Sequence, residues 1–360
     1  MGHPMLTING NVFSPDQIVN ESVDPATPFE KSTLHFCRDW LKGNSSFTLH
    51  TSGSTGAPKS ITFTRDQMIA SARMTQAALG LNQNDTALVC LDTNYIAGQM
   101  MLVRCFVVGM KIIAVEPTAN PFENLEQGQQ IDFVAMVPYQ LQHVINSNEH
   151  VLNQIRIAIV GGAPLDSQLK SKLMDYTCQL YATYGMTETI SHVALQKING
   201  PFASGSFKAL PGVALRTDER GCLVISTSFL DNDIVTNDLV ELINESEFKW
   251  SGRWDNIINT GGVKVIPEKI EIQLEEIFGK LGVTNRFFIF GIPDQNLGQK
   301  VSLWIEGDPF SDMIQGKFLQ ELKVMISKYE IPKEIKFVKA FQETATGKVN
   351  RAKTVNLFPV

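Results

Sequence analysis

The densest group of residues able to do chemistry is the run Thr51-Ser52-Gly53-Ser54-Thr55-Gly56-Ala57-Pro58-Lys59. Its hydroxyls, its glycine backbone N–H groups and its lysine can all donate to phosphate oxygens. Pro58 occupies the position where a Walker A loop needs glycine before lysine, so the run is not that motif. On its own it is either a phosphate-binding loop of another kind or a solvated turn.

Four further short segments carry polar side chains, and each taken singly is a common turn, strand end or solvated surface residue. They are Tyr184-Gly185-Met186-Thr187-Glu188-Thr189, Thr236-Asn237-Asp238, Gly252-Arg253-Trp254-Asp255 and Thr346-Gly347-Lys348. Together with the first run, and in this order, they resemble the adenylate-forming acyl-CoA synthetase superfamily of AMP-binding enzymes. The resemblance extends over residues 47–353.

The resemblance implies an ATP-dependent enzyme that joins a carboxylic acid to AMP and passes the acyl group from this adenylate to a thiol, expected to be coenzyme A. The substrates would be a small acid, ATP and CoA. Two alternatives remain at this stage. One is an adenylation enzyme that loads a carrier protein, and the other is a non-catalytic nucleotide-binding protein that has kept the fold.

By the same resemblance, the loop from Thr51 to Lys59 grips the β- and γ-phosphates of ATP, with Lys59 balancing the charge of the leaving pyrophosphate. Thr187 would contact phosphate. Glu188 would help to hold Mg²⁺, a hard cation suited to one carboxylate plus phosphate oxygens. Tyr184 would stack on adenine, next to Gly185.

Asp238 corresponds in the family to the carboxylate that accepts both ribose hydroxyls, which requires an acceptor with two oxygens. Asn237 stands where the family usually has glycine, and asparagine tolerates a left-handed backbone. Arg253 would lie near the ribose and phosphates. Gly161-Gly162-Ala163, after a predicted strand, resembles the segment that lets the backbone pass close to adenine and the acyl group, although such a sequence is often only a turn.

In the C-terminal part, Lys348 matches the lysine that bridges the acid carboxylate and the α-phosphate in the family. Asp255 matches a hinge between two domains, and the loop at Gly261-Gly262 would face CoA. These roles imply that a small domain presents two faces in turn to one site.

The sequence says less about the identity of the acid substrate than about the reaction. Ser191 and His192 could face an anionic aromatic acid, although a capping serine and a core histidine are slightly preferred. Fifty residues precede Thr51, fewer than is usual in the family, so we expect part of the acyl-pocket wall to differ.

The elements that must position these residues alternate along the chain between short β-branched runs and helical patterns. The runs are Thr86-Cys90, Lys111-Val115, Phe133-Val137, Arg156-Val160 and Gln179-Tyr184. Parallel strands with helical crossovers place ligands outside their carboxyl ends. We therefore predict an α/β large N-terminal domain with a mostly parallel sheet, and a site in the loops after the strands.

A capping box at Thr64/Gln67 and a terminating Gly80 predict one helix of this domain. The apolar run Met100 to Val115 predicts a buried helix followed by a strand, since Arg104 and Lys111 interrupt it as a membrane span.

Near Gly252 the sequence changes to a compact alternation of strand and helix patterns. We therefore predict one domain at 1–252 and a second, small and mobile α+β domain at 253–360. Its predicted helices are the amphipathic stretch that starts at Pro267 and a second near Met313-Tyr329. Its predicted strands are Arg286-Gly291, Lys300-Ile305 and Ile335-Phe341.

Composition is that of an ordinary folded protein, with 43% hydrophobic residues and a net charge of -6. The acidic balance and scattered basic residues argue against nucleic-acid binding. The five cysteines lack metal-ligand spacing, so we expect buried, reduced thiols. The first residues lack the order of a signal peptide, and we expect a cytoplasmic protein that does not enter the membrane. The sequence leaves the oligomeric state open.

Overall fold

The structure is a computed structural model that describes residues 3–50, 60–123, 125, 128–147, 150–343 and 349–358. Within these residues the α-helices are α1 Pro15–Val19, α2 Pro28–Leu41, α3 Arg65–Leu79, α4 Ile96–Val108, α5 Pro138–Ser147, α6 Ser167–Leu173, α7 Pro267–Leu281, α8 Asp312–Met325 and α9 Arg351–Asn356. Short 3₁₀ turns lie at Leu152–Gln154, Thr187–Thr189 and Trp254–Asn256.

The strands of the large N-terminal part are β1 Leu6–Ile8, β2 Asn11–Phe13, β3 Ser46–His50, β4 Ser60–Thr64, β5 Thr86–Val89, β6 Lys111–Ala114, β7 Phe133–Met136, β8 Ile157–Val160, β9 Gln179–Gly185, β10 His192–Lys197, β11 Phe207–Ala209, β12 Val213–Thr217, β13 Cys222–Thr227, β14 Ile234–Asn244 and β15 Glu247–Arg253. Those that follow are β16 Ile258–Thr260, β17 Val263–Val265, β18 Phe287–Asp294, β19 Gly298–Glu306 and β20 Glu334–Val338.

Thirteen strands form one continuous sheet in the order β12-β13-β14-β15-β11-β10-β9-β8-β7-β5-β6-β1-β2. The neighbours from β9 through β8, β7, β5 and β6 to β1 pair in parallel. Beyond β9 the pairing is antiparallel, beginning with β10. The predicted α/β fold is therefore confirmed, and the sheet is mixed because an antiparallel half continues the parallel one.

Both faces of the parallel half are buried, as strands that lie between helices require. In β5, Ala87 and Val89 belong to one hydrophobic core, whereas Leu88 belongs to another. Successive side chains of a strand point to opposite faces, so the two cores lie on the two sides of the sheet. Helices α3 and α4 contribute to the first core, and α5 and α6 to the second.

The predicted capped helix is confirmed in detail. The Thr64 hydroxyl accepts from the Gln67 backbone N–H, the Gln67 side chain accepts from the Thr64 N–H, and Gly80 ends the helix in the left-handed conformation. Capping at both ends satisfies backbone groups that the helix cannot pair internally.

A second sheet holds β17-β16-β19-β18, with β20 beside β19. Its hydrophobic core is separate and includes Ile270, Leu274 and Ile277, which form the predicted apolar stripe of α7. Helix α8 ends at Met325, four residues before the predicted end at Tyr329. The backbone leaves helical geometry at Ile326, whose side chain turns into the core.

The five cysteines are all buried and free. Burial raises the pKa of Cys90 to about 12, which keeps this thiol protonated and unreactive. Among the described helices, none has the length and apolar character needed to cross a bilayer.

Candidate functional site

Several of the predicted site residues that the structure describes lie at the carboxyl ends of β8 and β9, where a parallel sheet collects ligands. Gly161 directly follows β8, and Tyr184 and Gly185 end β9. The chain then makes the 3₁₀ turn Thr187–Thr189 and returns as β10. In this turn Glu188 is exposed.

Two glycines at these strand ends exclude side chains for steric reasons. A Cβ on Gly161 would lie 2.2 Å from Thr183 Oγ1 of β9. A Cβ on Gly185 would lie 2.4 Å from the Ser191 carbonyl oxygen. Gly162 has φ +86°, a conformation that L residues rarely adopt. Gly161 and Gly162 therefore present bare backbone at the carboxyl edge of the sheet.

Tyr184 and Asp238 meet although they lie 54 residues apart in the chain. The Tyr184 hydroxyl donates to Asp238 Oδ2 at 2.7 Å, and Trp250 Nε1 donates to Oδ1 at 3.2 Å. Burial raises the pKa of the Tyr184 phenol above its usual value, and the neighbouring Asp238 carboxylate raises it further. The phenol therefore stays protonated and can donate throughout the usual pH range.

The ring of Tyr184 packs on two phenylalanines. Its centroid lies 5.0 Å from that of Phe248 and 5.8 Å from that of Phe207. These contacts fix the plane of the tyrosine ring.

Arg253 connects this pair to the predicted hinge residue. Its guanidinium lies 3.5 Å from Asp238 Oδ1 and donates to Asp255 Oδ2 at 2.9 Å. Although burial disfavours its charge, the hydrogen bond to Asp255 and the charge of Asp238 raise the pKa of Arg253. Asp255 also accepts from Asn237 Nδ2 at 3.1 Å.

Asn237 does not adopt the left-handed backbone that asparagine tolerates. The residue lies inside β14, and the non-glycine residues with positive φ in the described chain are Asn9, Glu21 and Ile190. Asn237 instead uses its side chain, which accepts from Arg220 and donates to Asp255.

Sequence reasoning missed a buried cation beside Ser191 and His192. Arg104 of α4 is only 2% exposed. It donates through Nε to Thr75 Oγ1 at 3.3 Å and through Nη2 to Ser191 Oγ and His192 Nδ1. No carboxylate lies within ion-pair distance of it among the residues that the structure describes.

The hydrogen bonds of this cluster assign a neutral histidine. Thr75 donates to the Ser71 carbonyl, so its oxygen accepts from Arg104 and from His192 Nε2 at 3.1 Å. Burial lowers the pKa of His192 well below 6.5, and the charge of Arg104 lowers it further. Burial also lowers the pKa of Arg104, to about 10, so the guanidinium remains charged at neutral pH.

Arg104 could have been noticed from sequence, because it is the charged residue inside the apolar helix that begins the run Met100 to Val115. A charge in such a position is rarely tolerated without a partner. Its partners, however, come from α3 and from the start of β10, which the helix pattern alone does not bring together.

In the small domain, Gly261 and Gly262 form the two-residue turn of the β16–β17 hairpin, with Thr260 paired to Val263. Their φ angles of +55° and +83° are those of the tight turn that favours glycine at both positions. A Cβ on Gly261 would lie 3.2 Å from Leu297 of the same domain.

Two groups of predicted residues lie outside the described part of the chain: the phosphate loop from Thr51 to Lys59, and Lys348. The residues that flank them are described. Strand β3, which precedes the phosphate loop, pairs with β4, which follows it. Glu343 and Val349, on either side of the stretch that contains Lys348, form an isolated β-bridge. Arg351, just after Lys348, pairs with Glu271 of α7 at 2.8 Å. The roles predicted for all these site residues remain predictions.

Comparison with known proteins places the chain in a family. The AMP-binding enzyme family matches residues 9–219, more than half of the chain. The chain therefore belongs to the AMP-binding enzyme family.

Particular relatives can also be named. The chain is 24% identical over 334 residues to the 2-succinylbenzoate–CoA ligase of Staphylococcus aureus strain MSSA476, an alignment that covers 85% of this chain and 65% of the relative. The chain thus spans just under two thirds of the length of this curated relative.

Solved structures are similar over most of the chain. A Dyadobacter fermentans protein described as acyl-CoA synthetase (AMP-forming)/AMP-acid ligase II-like is 42% identical, with a TM-score of 0.63 and coverage of 93% of this chain and 96% of that one. The Bacillus subtilis o-succinylbenzoate CoA synthetase bound to its acyl-adenylate is 20% identical, with a TM-score of 0.74 and coverage of 87% and 69%. At 20% identity, the second likeness concerns the fold alone.

Proposed function

We propose that the protein is an ATP-dependent, AMP-forming acid–CoA ligase whose acid is aromatic and carries a second carboxylate, with o-succinylbenzoate as the best candidate. Membership of the AMP-binding family supports the reaction class. The Staphylococcus aureus relative, named for 2-succinylbenzoate, supports the choice of acid.

The reaction would proceed in two steps. The acid carboxylate attacks the α-phosphorus of ATP, and pyrophosphate leaves. The thiolate of CoA then attacks the acyl carbon of the adenylate, and AMP leaves. Neither step needs a protein nucleophile, in agreement with the buried, protonated cysteines.

The residues of the site fit the parts of a nucleotide. Tyr184 and Asp238 would hold adenine and ribose, and Arg253 beside them supplies positive charge. Glu188, exposed at the end of β9, would hold Mg²⁺ together with phosphate oxygens. When bound, the metal would neutralise part of the negative charge of the phosphates. Lys59 and Lys348 keep their predicted roles with the phosphates and the acid.

The observation that most directly supports an acid with a second carboxylate is the buried positive charge of Arg104, which has no anionic partner among the described residues. A buried cation normally has an anionic partner, because desolvation of an unpaired charge is costly. Its hydrogen bonds to Thr75, Ser191 and His192 use Nε and Nη2, while Nη1 makes no hydrogen bond to any described residue. A carboxylate of the substrate would supply the missing charge and accept from Nη1.

The position of Arg104 relative to the nucleotide residues agrees with this role. Its partner Ser191 stands two residues after the turn Thr187–Thr189, and the Ser191 backbone lies against Gly185 at the end of β9. Through Ser191, the cation therefore contacts the segment that directly follows the turn expected to hold phosphate and metal. We propose that the acid places one carboxylate at the phosphate and its second one at Arg104.

The test compares o-succinylbenzoate, benzoate and a long-chain fatty acid as substrates with Mg-ATP and CoA. We expect kcat/KM to be highest for o-succinylbenzoate. In Arg104→Gln, KM for o-succinylbenzoate should rise by about tenfold or more, the scale of one charge-assisted contact, while KM for ATP should change little.

Thr75→Val serves as the matched control, since it disturbs the same cluster and leaves the guanidinium in place. Thermal melting of both variants separates loss of folding from loss of binding. A higher kcat/KM for the fatty acid, or equal KM effects on ATP and acid in Arg104→Gln, would contradict the proposed acid.

A further inference from the structure

The pairing of strands β14 and β15 is irregular next to the site. Leu239 is paired with Gly252, but the next residue, Val240, is paired with Trp250, so Ser251 is an extra residue on β15. One extra residue on one strand of an antiparallel pair is a β-bulge, and bulges redirect the side chains next to them. The bulge therefore determines which face of the sheet Trp250 occupies.

The face of each side chain follows from this pairing. Asp238 is paired with Arg253, so their two side chains lie on one face of the sheet. Val240, two residues after Asp238, returns to that face and is paired with Trp250. In a regular strand, Trp250 would point to the opposite face, because it stands an odd number of residues before Arg253. The extra residue Ser251 thus brings the indole to the face that carries Asp238.

On this face the indole meets the carboxylate directly. Trp250 Nε1 donates to Asp238 Oδ1 at 3.2 Å, while the Tyr184 hydroxyl donates to Oδ2 at 2.7 Å. The Asp238 backbone N–H donates to Thr236 Oγ1 at 3.1 Å, and this hydroxyl donates to the Leu223 carbonyl at 2.8 Å. Hydrogen bonds therefore hold both the main chain and the two side-chain oxygens of Asp238.

The plane of this carboxylate depends on having a donor at each oxygen. The last torsion of an aspartate side chain has only broad preferences, so one donor alone would leave the plane free to tilt. Of the four lone-pair positions of Asp238, Tyr184 and Trp250 use one on each oxygen. One position on each oxygen is left for the two neighbouring hydroxyls of a ribose. Arg253, 3.5 Å from Oδ1, is distant enough for a hydroxyl to displace it.

We propose that Trp250 is a positioning residue that acts through Asp238. By holding Oδ1, the indole keeps the carboxylate in the plane that accepts both ribose hydroxyls. Trp250 thereby sets how strongly the site prefers a ribonucleotide to a nucleotide without these hydroxyls. This role rests on the proposed function only in that Asp238 is taken to face the ribose. Neither the acid nor CoA takes part in it, so nucleotide binding alone can test it.

The experiment compares the binding of Mg-ATP and Mg-2′,3′-dideoxy-ATP to the full chain by isothermal titration calorimetry, without acid or CoA. The second nucleotide lacks both ribose hydroxyls. In the unchanged protein we expect it to bind at least about tenfold more weakly, because hydrogen bonds to a charged acceptor are lost. Trp250→Phe keeps an aromatic ring and removes the N–H, and it should reduce this preference at least about threefold. An undiminished preference in the folded variant, or none in the unchanged protein, would overturn the proposal.

Trp304→Phe is the matched control. Its Nε1 also donates to a side-chain oxygen, Ser302 Oγ at 2.9 Å, but it belongs to the five-stranded sheet. This variant should keep the full preference. A merely structural role of Trp250 would weaken the binding of both nucleotides equally and leave the preference unchanged. Asp238→Ala should abolish the preference, and a full preference in that variant would contradict the proposal.

The indole N–H signals provide a test in which Trp250 itself is kept. The chain has four tryptophans, and single Trp→Phe variants at the other three positions assign the Trp250 signal by elimination in NMR spectra of ¹⁵N-tryptophan-labelled protein. We expect the proton of this signal to move upfield in Asp238→Ala, where the indole has lost its acceptor. A signal that Asp238→Ala leaves in place would show that the hydrogen bond is not made and would overturn the proposal.

Nucleotide binding and turnover together separate this role from the proposed function. If the preference depends on Trp250 but no acid-dependent exchange of pyrophosphate into ATP occurs, the positioning role stands and the ligase assignment fails. If the exchange occurs while the preference does not depend on Trp250, the ligase assignment stands and the positioning role fails. If the folded protein binds no ATP, both fail.

Discussion

At the scale of single residues, the site combines the pair Tyr184–Asp238, for which we propose contact with the nucleotide, with a buried cation cluster. Asp238 is already engaged by Tyr184 and Trp250, so ribose hydroxyls would have to share its carboxylate with two donors. The weaker contact, with Arg253 at 3.5 Å, is the one that a nucleotide can displace most easily. The Arg104 guanidinium donates to two hydroxyls, those of Thr75 and Ser191, and to the neutral imidazole of His192.

His192 gives this cluster a dependence on pH. Its folded-state pKa is lowered, first by burial and then by Arg104, so below pH 6.5 the unfolded chain binds a proton that the folded chain does not. The stabilisation is therefore fully present above pH 6.5 and is lost as pH falls toward the lower folded pKa. We expect the free energy of unfolding to decrease there by up to about 1.4 kcal/mol per pH unit from this residue.

Denaturant unfolding between pH 5 and pH 7.5 would measure the effect. His192→Asn should lower the stability at pH 7.5 and flatten the slope below pH 6.5. His35→Asn is the control, because His35 is 63% exposed. An acid slope as steep in His192→Asn as in the unchanged protein would show that His192 is not the titrating group.

The sequence identified Tyr184, Asp238 and Arg253 as neighbours only through their order along the chain, and the structure brings them together. It did not single out Arg104, because helical periodicity shows which residues are buried and not which charges are left without a partner. At Asn237 the sequence argument concerned backbone conformation, whereas the structure shows that the side chain is the part that pairs, with Asp255.

At the scale of elements, the site depends on how closely β8 approaches β9. Thr183 in β9 donates to the Val160 carbonyl at the end of β8, and its hydroxyl occupies the space that a side chain on Gly161 would need. The bare backbone after β8 is thus a consequence of strand pairing.

Gly161→Ala should therefore force the ends of β8 and β9 apart, at a cost of about 1–3 kcal/mol for overpacking, and should raise KM for ATP. Thr183→Ala removes the Oγ1 at 2.2 Å and leaves Thr183 Cβ at 3.6 Å, an ordinary contact distance. The double variant should recover most of the stability and of the KM. Thermal melting and ATP kinetics test this, and purely additive losses would rule out the steric account.

Most elements of the parallel half could be predicted from sequence, since fully buried strands are continuous apolar runs bounded by turn residues. Strands β10 to β15 were not predicted. In β12, Val213–Thr217, exposed residues alternate with buried ones, a weaker pattern than a continuous apolar run. Helix α8 was predicted too long because Ile326, apolar and in phase with the helix, enters the core after the helix has ended.

At the scale of the whole molecule, the described chain has a large mixed sheet and the two-stranded sheet β3–β4 in its N-terminal part. A five-stranded sheet with its own core follows after the 3₁₀ turn Trp254–Asn256. The proposed chemistry needs one site to serve two steps, and a small domain that turns about this linker can present Lys348 in the first step and Gly261-Gly262 in the second. The predicted boundary at residues 252 and 253 falls at the end of β15, and the hinge remains a prediction.

The most direct test of the central claim is the exchange of labelled pyrophosphate into ATP in the absence of CoA. Adenylate formation is reversible and needs no thiol, so we expect exchange with o-succinylbenzoate and none without an acid. Lys348→Ala should slow it by about 100-fold, the scale of one lost electrostatic contact in the transition state. Addition of CoA to the unchanged protein should then release AMP and the thioester. Exchange that does not depend on the acid, or cleavage of ATP to ADP and phosphate, would contradict the account.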